Sequence, residues 1–349
     1  MQITAVPVRD FSELGRVWRE LEARDAAPSF FRGWTWTGCL AEERFPDPLL
    51  LRATDAGELV GLAIFNRRAG RLCLGESGDA ALDAPFVEHN GPLLHPRHRS
   101  VDLVADLLRT ALAQPGVRRL VLGGVDAAVL AAAPGVRLRA QERAAPWVDL
   151  DAVRGGCGDH LSSLSANARY QLRRSFRALA QPDLRSAETL ETALEWLDDL
   201  MRLHELRWRA SGKPGAFATP WLRRFHRELV SRGHPRGEVE VLRLAAAGEI
   251  HGYLYNFRLG GRTIAYQSGM AATPSGSHGK PGLTAHALAI QLAIDRGDAA
   301  YDFLAGAHRY KSSLANAVDA LHWAEYVPSR SVVGIGLRAA RAIGLLPGR

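Results

Sequence analysis

LRATDAGELVGLAIFNRRAGRLCL (Leu51–Leu74) and LRLAAAGEIHGYLYNFRLGGRTIA (Leu242–Ala265) lie 191 residues apart and align without a gap. Nine of the 24 positions are identical, among them Gly57/Gly248, Glu58/Glu249, Gly61/Gly252, Arg67/Arg258, Gly70/Gly261 and Arg71/Arg262. Each copy reads as a strand, a turn at A-G-E, a second strand, a turn at A-G or G-G, and a third strand, which makes a three-stranded antiparallel meander. A meander cannot bury its apolar face alone, so two copies predict two homologous lobes. The flanking segments agree. Both halves follow the order β-α-α-β-β-β-α-β-α-β, and lobe 2 has an added polar helix near Asp159–Ala180. Apolar residues at helical intervals mark the long helices, as in Leu194, Leu197, Met201 and again in Leu283, Ala287, Ile290, Ile294. The expected fold class is α/β, with tandem lobes at 1–150 and 151–349, each a mixed, mostly antiparallel sheet flanked by helices.

At 349 residues and 47% hydrophobic composition the chain can bury a large core. Charges within the first ten residues and the lack of any run near 18 apolar residues predict neither export nor a membrane span. Cys39, Cys73 and Cys157 are odd in number and show no metal-ligand spacing, so a reducing cytoplasm without disulfides or bound metal is expected. The net charge of +7 is uneven. Residues 1–150 carry 18 Arg against 19 acidic residues, whereas residues 151–349 carry 26 basic against 18 acidic. Excess charge in the second half points to an anionic ligand there. Only three basic residues are lysines, Lys213 in SGKPGAF, Lys280 in HGKPGLTAH and Lys311 in HRYKSSL. A lysine is a compact point charge that can lose its proton when buried, unlike arginine, which marks these three segments as places for chemistry.

The stretches LSSLSANARYQLRRSFRAL (161–179), LHELRWRASGKPGAF (203–217), YQSGM (266–270), KPGLTAH (280–286) and YDFLAGAHRYKSSL (301–314) carry a further signal. In these residues and in its element order the chain resembles the GNAT acetyltransferase superfamily. It is most similar to the tandem-lobed CelD/BcsL-type branch of cellulose-biosynthesis-associated proteins, related in turn to the FemAB aminoacyl transferases. The resemblance implies tandem GNAT-like lobes, the first degenerate. It also implies that acyl-CoA enters where the fourth and fifth strands of lobe 2 diverge, its pyrophosphate resting on the following helix. The physics is general, because a helix start offers unpaired N–H groups and positive potential to phosphate. In SGSHGKPGLTAHALAI, glycines 276, 279 and 282 approach a helix that Pro281 opens. Gln267, Gly269, Gly279, Lys280 and Gly282 are thus expected to bind the donor, acetyl-CoA or another acyl-CoA. KPG replaces the family's x-x-G-x-G/A, a departure shared with FemAB relatives, and leaves aminoacyl-tRNA open as the donor. A Walker loop is excluded by Pro274 and Pro281 at its key positions.

Acyl transfer to an amine needs a base for the nucleophile and an acid for the leaving thiolate, and His251, His286, Asp302, His308 and Tyr310 are the candidates. The resemblance favours His286 as base or ligand and Tyr310, just past the fifth strand, as acid. Asp302 in the apolar YDFL needs a partner, for which Lys311 is placed. Arg169, Arg173, Arg174 and Arg177 share one side of a helix and suit an anionic substrate, the 3′-phosphate of CoA or tRNA. His204 and Trp208 of LHELRW, His89 and Asn90 of FVEHNGPLL, and Lys311 are expected at the acceptor site. The expected activity is an acyl-CoA-dependent N- or O-acyltransferase acting on a polar metabolite or surface-polysaccharide precursor in a ternary complex. Its partner is a small-molecule acceptor, with nucleic acid entering only as tRNA under a FemAB-like alternative. A third possibility is a catalytically silent binding protein.

Overall fold

A computed structural model of the chain describes residues 1–25, 28–80, 82, 87–156, 158–272 and 278–345. Cys157, Pro274 and Gly276 lie outside the described residues. The first half runs β1 (Gln2–Pro7), α1 (Phe11–Glu22), α2 (Trp34–Arg44), β2 (Pro48–Asp55), β3 (Glu58–Arg68), β4 (Arg71–Leu74), β5 (Leu93–Leu94), α3 (Val101–Leu112), β6 (Arg119–Val125), α4 (Ala127–Ala132) and β7 (Val136–Asp149). The second half continues with α5 (Leu150–Gly155), α6 (His160–Ser163), α7 (Ala166–Leu179), β8 (Asp183–Ser186), α8 (Leu190–Ala210), α9 (Pro220–Gly233), β9 (Val239–Ala246), β10 (Glu249–Leu259) and β11 (Arg262–Met270). It closes with α10 (Pro281–Asp295), β12 (Ala300–Asp302), α11 (Arg309–Leu314), β13 (Ala317–Val327) and α12 (Val332–Ala342). Among the described residues no helix is long and apolar enough to cross a membrane.

Both meanders are present. Ala56-Gly57, Ala69-Gly70, Ala247-Gly248 and Gly260-Gly261 all hold two consecutive residues at positive φ. That is the type I′ geometry whose twist matches the flanking strands, and it explains why the second position is glycine each time. Helix starts are fixed by side-chain caps. Asp10, Ser100, Ser165, Thr189 and Thr219 each accept a backbone N–H of the helix they precede.

The chain forms two compact units, 1–143 with 320–349, and 144–319. These bounds differ from the 150/151 division read from the sequence. In the first unit the sheet order is β1-β2-β3-β4-β6-β13, with β5 beside β3. In the second it is β7-β12-β11-β10-β9-β8. Thus β13, the last strand of the second sequence half, pairs with β6 through His322↔Val125 and Tyr326↔Leu120. The end of β7 pairs instead with β12 through Trp147↔Asp302 and Asp149↔Ala300. Each sheet takes its final strand from the other half of the sequence, which is why the division falls earlier and the C-terminal segment joins the first unit. The core of the first unit packs α3 and α4 on the meander, Leu103, Leu107 and Leu108 meeting Leu51, Phe65, Leu72 and Leu120. That of the second packs α7 and α10 on its sheet, Leu172, Ala285 and Ile290 meeting Leu242, Leu254 and Tyr301.

Candidate active site

In the second unit β11 and β12 run parallel for three pairs only, Arg262↔Ala300, Thr263↔Tyr301 and Ile264↔Asp302. Beyond that point they part. β11 continues along β10 to Met270, with a bulge between Tyr255 and Asn256 that skips Tyr266. The chain after β12 instead follows β7, Phe303 N–H bonding Pro146 O at 3.1 Å and Gly306 N–H bonding Ala144 O at 3.1 Å. A notch opens between two strands whose backbone edges are no longer paired to each other.

Four rings meet behind this notch. His286 on α10 contacts Tyr301 and Phe303 edge-on and stacks on Tyr310 at 5.2 Å with 14° between planes. Its Nδ1 lies 2.9 Å from the Tyr301 hydroxyl. Burial raises the Tyr301 pKa well above its ordinary range, so this phenol keeps its proton beside Nδ1. Burial, reinforced by the nearby Lys311 cation, pushes the His286 pKa down to about 3. Burial raises that of Tyr310, against an opposing pull from Arg207, so the phenol keeps its proton. Neutral histidine and protonated tyrosine stand face to face.

Tyr310 also lines a cavity of about 300 Å³ with Asn167, Gln171, Lys280, Leu283 and Arg309. Lys280 precedes α10 as an exposed residue whose Nζ donates to Gln171 Oε1 at 2.8 Å and whose backbone N–H is held by Ser175 Oγ at 2.8 Å. Ser175 Oγ in turn lies 2.8 Å from Thr284 Oγ1, tying α7 to α10. Pro281 has no N–H, and the N–H groups of Gly282 and Leu283 fall in the first turn, where no helical acceptor exists. Gly279 is buried beside Lys280. Arg169, Arg173, Arg174 and Arg177 lie on α7, and none forms an ion pair among the described residues. Arg169 caps Ser162 O, and Arg174 meets the exposed His278.

The remaining expected residues divide by what already engages them. Gln267 lies on β11 past the point where the strands part, opposite Tyr255. Gly269 is there because a Cβ would sit 2.4 Å from Leu200 O on α8. Asp302 is buried, holds Arg262 at 2.5 Å and caps Leu304 N–H at 2.7 Å. Lys311, also buried, donates to the carbonyls of Leu304 and Ala305 at 3.1 and 3.0 Å. Together these two brace the turn where Leu304 adopts φ +60°. His204 has both nitrogens engaged, Nδ1 with Ser268 O at 3.1 Å and Nε2 with Ala216 N–H at 3.1 Å, and burial lowers its pKa. Its ring stacks on half-buried Trp208, over which Lys213 lies at 5.8 Å. His251 is on β10 and His308 stacks on Tyr310 at 6.1 Å.

His89 and Asn90 belong to the first unit. There β4 and β6 also pair in parallel for three residues, Arg71↔Arg119 to Cys73↔Val121. Just past this point Asn90 Nδ2 donates to Leu74 O at 2.8 Å and Gly123 O at 3.1 Å, and its Oδ1 accepts Gly91 N–H at 2.8 Å. Asn90 thereby stitches together the strands that part in the second unit. The His89 carbonyl accepts from Ser29 and Arg32.

Asn256, Tyr301 and Gln171 did not stand out in the sequence. Asn256 offered a signal, a polar residue inside the apolar run YLYNF, and the gapless repeat sets Phe65 against it and Asn66 against Phe257.

Residues 166–312 match the family model described as an acetyltransferase (GNAT) domain, a span containing α7, the notch, the ring cluster and Lys280. No curated protein matches the chain. Among solved structures, FemX superposes with a TM-score of 0.60 at 9% identity, over 98% of this chain and 100% of that one. A C-terminal domain from Agrobacterium fabrum, described as that of a lysylphosphatidylglycerol synthetase, gives 0.57 at 13% identity over 97% and 100%. L-PGS from Bacillus licheniformis gives 0.54 at 15% identity over 95% and 96%. At these identities the likeness is one of fold, and the fold is α/β with two tandem GNAT-like lobes.

Proposed function

We propose that the second unit transfers an acyl group from an acyl-CoA to the amine or hydroxyl of a polar acceptor, the CelD/BcsL resemblance favouring a metabolite or surface-polysaccharide precursor. The observation that carries this reading is the notch beyond Ile264 and Asp302, walled by parted strands and opening beside a protonated tyrosine. An extended arm can hydrogen-bond to the free strand edges, as an added strand would. Gly282 supports a phosphate at the mouth. Among the described residues a Cβ there would meet only Met270 Cγ at 3.8 Å, so none of them requires a glycine, whereas close approach of a ligand does. Lys280 supplies the charge and the first turn of α10 the donors.

In the transfer, the acceptor's nucleophile bonds to the acyl carbon, the carbon–sulfur bond breaks, Tyr310 gives its proton to the departing sulfur, and the proton the nucleophile sheds passes through solvent to restore the phenol. His286 fits a positioning role better than that of base, one of the two roles expected from sequence. Its nitrogen is held by Tyr301 and it stays neutral far below pH 7. Imidazole and Tyr301 then fix the face against which Tyr310 rests. Asp302 and Lys311 hold the turn leading to α11, and so the placement of Tyr310.

One observation favours a second donor, aminoacyl-tRNA. The arginines of α7 span about 12 Å of helix, a longer row than the phosphates of one CoA require. Thermal shift against acetyl-CoA, longer acyl-CoAs, free CoA and charged tRNA separates the two. Stabilisation by acyl-CoA and free CoA is expected. A response to charged tRNA alone would replace the donor, and no response to any would favour a binding protein.

A further inference from the structure

The exposed face of α12 runs against the usual pattern of a surface helix. Val332, Ile335, Ala339 and Ile343 recur at spacings of three and four, which places them on one side. Val332 is 90% exposed, Ile335 52% and Ile343 72%. The opposite side is fastened to the first unit. Gly334 is buried so tightly that a Cβ would lie 2.3 Å from Pro328 O, Leu337 is half-buried, and Arg341 donates to Arg137 O at 2.6 Å. The helix thus presents a purely apolar stripe to solvent and keeps it there through fixed contacts on its other side. Surface helices ordinarily turn such a stripe inward.

The charge around the stripe identifies what it meets. Residues 326–349 contain four arginines, at 330, 338, 341 and 349, and no acidic residue. Arg338 is exposed beside the stripe. An apolar face whose own segment carries only cations matches a bilayer surface with anionic headgroups, where the side chains enter the acyl boundary and the guanidinium groups meet phosphate; the exposed Glu142 lies on the fastened side, near Arg341. A second copy of the chain is a poorer match. Two such faces would oppose arginine to arginine, and a stripe about 16 Å long and one helix wide falls well short of the roughly 800 Å² per partner of a stable dimer.

We propose that α12 is a membrane-surface element that docks the protein reversibly on anionic lipid, lying in the plane of the interface. No catalytic residue is involved, so the inference stands apart from the acyl-transfer reading. It is tested by co-sedimentation of the full chain with vesicles of phosphatidylcholine alone and of phosphatidylcholine mixed with phosphatidylglycerol. Binding to the mixed vesicles that weakens with added salt is expected. Ile335→Asp with Ile343→Asp should cut the bound fraction about tenfold or more, and Arg330→Gln with Arg338→Gln should do so by about tenfold. Both pairs are solvent-facing, so thermal unfolding should be unchanged, which separates lost docking from lost folding. Equal sedimentation of wild type and both variants would overturn the proposal. So would a concentration-dependent dimer that Ile335→Asp dissolves, since the stripe would then belong to a second copy.

Discussion

The two units begin from the same meander and the same three-residue parallel pairing, yet among the described residues a side chain bridges the strands beyond it in one unit and not in the other. In the first unit Asn90 bridges Leu74 and Gly123 at the point where β4 and β6 would part. In the second, β11 carries on to Met270 while the chain after Asp302 turns to β7. The difference lies in what each chain does with the freed backbone groups. Buried N–H and C=O groups need partners, and a lobe without a ligand satisfies them from its own sequence. A lobe that has a ligand leaves them for it. Under the proposed reading the first unit differs from the second by a filled notch rather than a missing fold.

This contrast can be broken most forcefully at Asn90. Asn90→Ala deletes three buried hydrogen bonds and leaves two carbonyls unmet, so urea denaturation should show a loss of about 3 kcal/mol or more. Donor affinity of the second unit should be untouched, and calorimetry showing lost affinity instead would place ligand in the first. Next in size is Tyr310→Phe. Turnover should fall about 100-fold with acyl-CoA affinity nearly unchanged, because the proton is needed only in the transition state. Full turnover would remove Tyr310 from the reaction. Lys280→Ala should weaken CoA binding about tenfold through loss of one charge at the phosphate end, measured by calorimetry. Unchanged affinity, with loss caused instead by changes near Pro96–Ser100, would move the phosphate site to the first unit.

A further effect concerns acid. His226 is fully buried among Phe217, Phe225, Tyr255 and Tyr266, with neither nitrogen hydrogen-bonded among the described residues, and burial pushes its pKa to about 3. A histidine held neutral has a native pKa below its unfolded value of 6.5. The unfolded chain therefore takes the proton first, and the stability present above pH 6.5 is lost as pH falls toward 3. His226→Phe should lessen the drop in urea midpoint between pH 7.5 and pH 5. An identical drop would show that the acid sensitivity lies elsewhere in the chain.

Much of the architecture was legible because its signals are local. Type I′ turns require glycine, and the A-G and G-G pairs marked all four meander turns; the cap residues and apolar stripes located the helices. Pairing partners are not local. Nothing in VRLRAQERAAPWVD or AVDALHWAEYV says which sheet will receive each strand, so the exchange of last strands and the 143/144 division emerged only in three dimensions. α12 was missed for a related reason, since two glycines and β-branched residues weaken its helical propensity, and Ser331 alone signals its start.

At the proposed site, residue types singled out side chains that the fold brings together, but not their surroundings. His286 and Tyr310 do meet, and Lys280 does precede α10. Burial, which no motif reports, holds His286 neutral, and the Tyr301 hydroxyl orients it. Asn90 looked like a polar island in FVEHNGPLL because an asparagine that staples two strands has the same letters around it as one that faces a ligand.

The most direct measurement is a crystal structure of the chain with acetyl-CoA. One molecule per chain is expected, its arm between β11 and β12 and its phosphates at Lys280 and the first turn of α10. A CoA seated beside Asn90 and Gly91 in the first unit, with the second notch left empty, would contradict it.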